Sequence, residues 1–165
     1  MKKNYEDQEF KNLKFKNKNF ENFNFINCSF INCTFENCKL IKTSFSDCSF
    51  YKCVISNIKT SGNSQIQDTE FIMCQLTGIW WNELLPDFKF ADPVSKFEKC
   101  YLRYNTFTDM TFKDFSFSRN TISDSMFAKC QLTECRFNQC KLDGTEFLEC
   151  NLQKADFRNA SDYKI

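Results

Sequence analysis

The chain has no histidine, three glycines, two prolines and almost no net charge, 22 basic residues standing against 21 acidic ones in a length of 165. Each shortage closes a class of function. Without histidine, the Ser-His-Asp and Cys-His arrangements that activate a nucleophile cannot be assembled. Three scattered glycines cannot build a phosphate-cradling loop. The charge is evenly spread, with no basic arm to bind nucleic acid and no acidic tail, so direct nucleic-acid binding is not expected. No window approaches the length of an apolar membrane span, and Met1 to Phe10 carries positive charge with no apolar stretch behind it, so the expected protein is cytoplasmic with no membrane partner.

What is abundant is phenylalanine, 21 residues, and cysteine, eleven. Every cysteine lies two residues before a Phe, Leu or Ile, and that large residue returns at every fifth place, as in Cys28-Ser-Phe30, Cys33-Thr-Phe35, Cys38-Lys-Leu40 and Cys48-Ser-Phe50. A period of five is neither the 3.6 of a helix nor the 2 of a strand, so the backbone itself must turn with it, which is the mark of a solenoid. The cysteines are odd in number, the expected compartment is reducing, and their spacing follows the apolar cycle rather than a covalent framework. They read as free, buried thiols. Five-residue spacing also sends Cys130, Cys135 and Cys140 to successive faces, and no Cys-x-x-Cys pair occurs, so neither a metal nor another cofactor is expected. Carboxylates such as Glu146 and Glu149 fall on outer positions and read as solvated surface.

The large residue can be called the centre of each unit and the residue two before it the inward position. Centres run from Phe10 through Phe15, Phe20 and so on to Ile55. The phase then slips by one near Ser61-Gly62, giving Ile66, Phe71, Leu76 and Trp81, and a bulge at a corner would explain one extra residue beside a glycine. The cycle is lost from Asn82 and resumes from Phe97 to Phe157 without a break, with inward positions beginning at Ser95. Early inward positions hold Gln8, Leu13, Lys18 and Phe23, and a buried Lys18 would be too costly, so a splayed opening coil with Lys18 turned outward is expected. Large inward residues at Phe23, Met110 and Phe115 predict local widening or an adjusted neighbour.

If centre and inward residue share one interior while the other three residues face water, the chain turns after every five. Four turns close a square coil of about twenty residues, and coils stack through strand-like hydrogen bonds at roughly 4.8 Å. Phe10, Phe30 and Phe50 then form one ladder, with Cys28 beneath Cys48.

With Ala155-Asp156-Phe157 followed by Arg158-Asn159-Ala160, the chain resembles the pentapeptide-repeat family, whose motif places Ala, or often Cys, Ser or Thr, two before a central Leu or Phe, and Asp or Asn one before it. Here that Asp or Asn is largely replaced by Ser, Thr, Lys, Gln and Glu, a departure on the solvent side. The resemblance implies an all-β fold, a right-handed quadrilateral parallel β-helix of about seven to eight coils with one inserted loop. The reading is a single domain over 1–165, with repeats at 8–81 and 95–159 and an insert at 82–94. Leu76-Thr-Gly-Ile-Trp-Trp81 and Cys100-Tyr-Leu-Arg-Tyr-Asn-Thr-Phe107 also resemble a bacterial subgroup placed beside the quinolone-resistance members.

The insert holds both prolines and supplies the candidate partner-contact residues Trp80, Trp81, Leu84, Leu85, Phe88 and Phe90. The tendency of aromatics to bury favours their covering a face of the stack, and an outward Trp80 would favour contact. The expected function is a non-enzymatic scaffold that binds a protein partner. The alternative, implied by the resemblance, is protection of DNA gyrase or topoisomerase from quinolones or toxins by DNA mimicry. That needs a strongly acidic surface, for which a strip joining Asp109 to Asp114 or Glu134 is a candidate, with Lys129 and Arg136 round a corner. A redox-sensitive scaffold is a third reading. Monomer and end-to-end homodimer are both open.

Overall fold

The structure, a computed structural model, describes residues 1–87 and 91–165. The chain winds through about seven turns of a parallel β-solenoid with four walls, each coil hydrogen-bonded to the next. Short strands carry the walls, beginning with Lys3–Glu6, Glu9–Lys11, Lys14–Lys16 and Asn19–Glu21. Register is direct. Tyr5, Phe25, Phe45 and Ile66 stack on the first wall. The second carries Phe10, Phe30, Phe50, Phe71 and Phe97, and the third Phe15, Phe35, Ile55, Leu76, Leu102 and Ile122. The fourth begins with Phe20, Leu40 and Thr60 and continues through Phe107, Phe127 and Phe147.

Rings within a wall lie face to face, as in Phe30–Phe50 at 4.7 Å and 8° or Phe107–Phe127 at 4.4 Å and 3°. Rings on adjoining walls meet edge to face, as in Phe25–Phe30 at 5.4 Å and 75°. Both are arrangements that the ring quadrupole favours. Each corner is made by a residue with positive φ, and Asn or Asp holds many of these places, Asn12, Asn17, Asn22, Asn27, Asn32, Asn37 and Asn57 among them. These side chains tolerate the left-handed region better than most. They also bond from coil to coil: the Asn32 amide donates to Asn12 Oδ1 at 2.7 Å, and that of Asn27 to Asp7 Oδ1 at 2.6 Å.

The inward position does more than save space. Cys48 Sγ donates to the carbonyl of Phe25, the centre one coil below, at 3.5 Å, and Cys53 does the same to Phe30 at 3.3 Å. Thr43 Oγ1 reaches Phe20 O at 2.8 Å, Thr145 reaches Ile122 O at 2.7 Å, and the Asn120 amide reaches Phe97 O at 3.0 Å. A small side chain with a hydrogen to give therefore supplies a donor to a carbonyl in an apolar lumen, where an unpaired one is expensive.

Several details depart from expectation. Tyr5 is a centre too, so the stack begins one unit earlier. Lys18 is exposed as expected, yet the opening coil is not splayed: all its strands pair, and the Lys18 carbonyl accepts from Lys39 N at 2.9 Å. The extra residue near Gly62 is a corner with two successive positive-φ residues, Gly62 and Asn63, after which Ser64 turns inward. Ser95 does not take the inward position; the strand bulges between Thr69 and Glu70's partners, so that buried Val94 lies opposite Thr69 and Ser95 is exposed. Widening does occur at Phe115: Phe97 and Phe117 stand 6.0 Å apart where Phe117 and Phe137 stand 4.8 Å apart. No helix in the described residues is long and apolar enough to cross a membrane.

Candidate functional site

On the fourth wall the regular ladder is interrupted. Thr60 sits at the centre place above Leu40, but it is short, and its hydroxyl donates outward to Glu83 Oε2 at 2.9 Å. One coil on, the centre is Trp81, with 1% of its surface exposed. Its ring stacks at 5.9 Å on Phe107 and meets Phe71 and Phe97 edge-on, and its Nε1 donates to Asn105 Oδ1 at 2.9 Å. Successive residues of an extended chain point to opposite sides. A buried Trp81 therefore forces Trp80 outward, and Trp80 is 55% exposed.

Trp81–Leu84 then forms a 3-10 turn that buries Leu84 and leaves Leu85 40% exposed. The turn is tied to the first wall, where Asp87 N donates to Gln65 Oε1 at 2.9 Å. Of the six residues the sequence singles out, then, two belong to the interior, Trp81 and Leu84, and two to the surface, Trp80 and Leu85. Phe88 and Phe90 lie outside the described residues.

Beside Trp80 runs an open groove of about 460 Å³, its lining including Ile58, Lys59, Thr60, Gly78 and Glu83. Two short side chains create it. Thr60 stands where other coils carry Phe, Leu or Trp, and Gly78 occupies a corner at φ +65 where an added Cβ would fall 2.6 Å from Asn57 Oδ1. Past the groove, Arg103 lies over the Tyr104 ring at 4.7 Å and pairs with Asp124 at 3.1 Å. Inside the column, below Trp81 and Leu84, a cavity of about 50 Å³ is bounded by Ile55, Ile58, Ile66 and neighbouring rings.

A second surface feature is a corner between the first and second walls on which acids recur, Asp7, Asp47, Asp68, Asp114 and Glu134. Asp114 and Glu134 stack on each other, but Asp109, expected beside one of them, belongs to a different corner, where Lys129 lies over it. Arg136 and Lys154 do not stand apart from the acids either, pairing with Asp114 and Glu134.

The thiols face a dry interior. Burial pushes Cys48 up to about 12 and Cys130, Cys135 and Cys140 up to about 11. Contact with the Cys100 and Cys53 thiols, followed by burial, pushes Cys74 up as well. Such groups stay protonated near neutrality and are poor nucleophiles. The cysteines are free in the structure.

What residue-by-residue reading missed on this wall is the company Trp80 keeps. Lys39 and Lys59 differ by twenty and so stack beneath it, Thr60 is a short centre, and Asn105 is the buried partner of the indole. Counting in twenties through this stretch would have found the lysines.

The profile of pentapeptide repeats matches eight copies, over residues 10–40, 19–57 and 130–161. No curated protein matches the chain by sequence. Among solved structures, a trypsin-treated form of QnrB1, a plasmid-mediated fluoroquinolone resistance protein, is 14% identical over 98% of this chain and 91% of its own, with a TM-score of 0.55. HetL, a pentapeptide repeat protein involved in heterocyst differentiation regulation from the cyanobacterium Nostoc sp. strain PCC 7120, is 11% identical over 99% and 89%, with a TM-score of 0.42. The five-residue cycle, the profile matches and the four-walled stack agree that the chain belongs to the pentapeptide-repeat family.

Proposed function

We propose that the protein is a non-enzymatic scaffold whose fourth wall binds a protein partner, with Trp80 and Leu85 at the contact. The observation that carries this reading is the 55% exposure of Trp80 beside an open groove on a rigid wall. A tryptophan is costly to leave in water, and aromatic anchors set in pockets dominate protein interfaces. The lack of histidine and the protonated, buried thiols support a role without catalysis. The test is co-purification with wild type and with Trp80→Ala. Loss of one defined partner from the variant, with its thermal melt unchanged, supports the contact, and identical partners would overturn it.

DNA mimicry is the second reading, and the acidic corner is what favours it. Its charge is sparse: B-DNA carries one negative charge per roughly 1.7 Å of axis, whereas a corner offers at most one carboxylate per coil of roughly 4.8 Å. Two of the five acids are also paired with cations. Gyrase supercoiling, with and without a quinolone, decides the matter, and no change at micromolar protein removes mimicry.

A further inference from the structure

Building on the reading of the fourth wall as the contact surface, we propose that the partner is an acidic protein segment, seated with an apolar side chain against Trp80 and its carboxylates over Lys39 and Lys59. Lys39 and Lys59 are direct cross-strand partners, both exposed. Like charges placed opposite each other on a sheet destabilise it. Elsewhere on the column Lys11, Lys16, Lys96, Lys154 and Lys164 each reach a carboxylate, and lysines without one, such as Lys14, Lys42 and Lys129, do not stack on another lysine. Among the described residues Lys39 and Lys59 form no ion pair.

Lys59 and Trp80 both line the open groove. Glu83, the acid that also lines the groove, accepts from the Thr60 hydroxyl and forms no ion pair with either lysine. One wall therefore holds two uncompensated ammonium groups, a partly apolar groove and an exposed indole in a row. A carboxylate lying over both lysines removes their repulsion, while a basic segment would add to it. A nucleic-acid backbone would satisfy the charges, but it has no use for the short recess that Thr60 and Gly78 leave beside Ile58, which fits an aliphatic or aromatic side chain.

The experiment uses the whole chain and tryptophan emission, with a short synthetic peptide of Asp and Glu around a central Phe-Leu, its counterpart with Lys in place of the acids, and an oligothymidylate. The acidic peptide alone should change the emission saturably, and the change should vanish in Trp80→Phe. Salt should weaken the binding. Lys59→Glu should weaken it by about tenfold, a difference of about 1.4 kcal/mol. The same substitution sets a carboxylate opposite Lys39 and so should raise the Tm, which separates lost binding from lost folding. Failure of the acidic peptide to bind, equal binding of the basic one, or binding of the oligonucleotide in its stead overturns the proposal. If Trp80→Ala loses a partner in co-purification that the Lys39→Glu, Lys59→Glu double variant retains, the contact wall stands and its acidic partner falls.

Discussion

A side chain inside this column answers to volume first. Phe137 is fully buried between Phe117 and Phe157 at 4.8 and 4.9 Å, so Phe137→Asp places a charge where no cation can reach it. The expected loss is several kcal/mol, about 3–5, read as a fall in the urea midpoint or as failure to fold. The opposite error, too little volume, is present in the native chain. Ile66 continues the ladder of Tyr5, Phe25 and Phe45 and borders the cavity of about 50 Å³. Ile66→Phe should therefore stabilise, by about 1 kcal/mol or less. A lower urea midpoint would mean that the walls cannot accommodate the ring. At this scale the sequence was nearly transparent, because the large and small places alternate without exception from Cys28 to Cys53. It hid what volume does not govern: the preference for Asn at positive φ, and the hydrogen that Cys, Thr or Asn gives to the carbonyl of the coil below.

The insert is the element where reading by period fails. The five-residue cycle puts Trp81 at a centre, and Trp81 is indeed the buried one of the two adjacent tryptophans, but the cycle cannot say that the strand after the insert bulges so that Val94 replaces Ser95 in the lumen, nor what pairs with the buried indole. Both follow from contacts supplied by distant coils. Asn105 is the clearest case. It is buried, its amide donates to Leu76 O at 2.8 Å, and its Oδ1 accepts from the Trp81 indole. Asn105→Leu keeps the forked shape, with bulkier methyl ends, and leaves a carbonyl and an N–H unpaired, at about 1–3 kcal/mol each. The expected result is a lower melting temperature with a changed Trp81 emission. An unaltered melt would show that packing alone holds the insert.

For the molecule as a whole, Cys48, Cys130, Cys135 and Cys140 couple stability to alkaline pH. Below the ordinary value of 9.0 the folded and unfolded chains both keep these protons. Between there and about 11, for Cys130, Cys135 and Cys140, the unfolded chain ionises while the folded one does not, so stability falls as pH rises. Each thiol contributes a slope of up to about 1.4 kcal/mol per pH unit. For Cys48 the window extends to about 12. Melts in reductant should show the Tm dropping steeply above pH 9, and less steeply in Cys130→Ser, Cys140→Ser. A flat profile would contradict burial.

The corner at Gly62 and Asn63 takes up one additional residue, and the insert several, yet Phe71 meets Phe97 and Leu76 meets Leu102 on unchanged walls. Alignment is thus kept by neighbour matching neighbour and not by any global count. A column made this way has no intrinsic length: excising the twenty residues from Thr121 to Cys140 would join like rung to like rung, and the shortened protein should still close its walls.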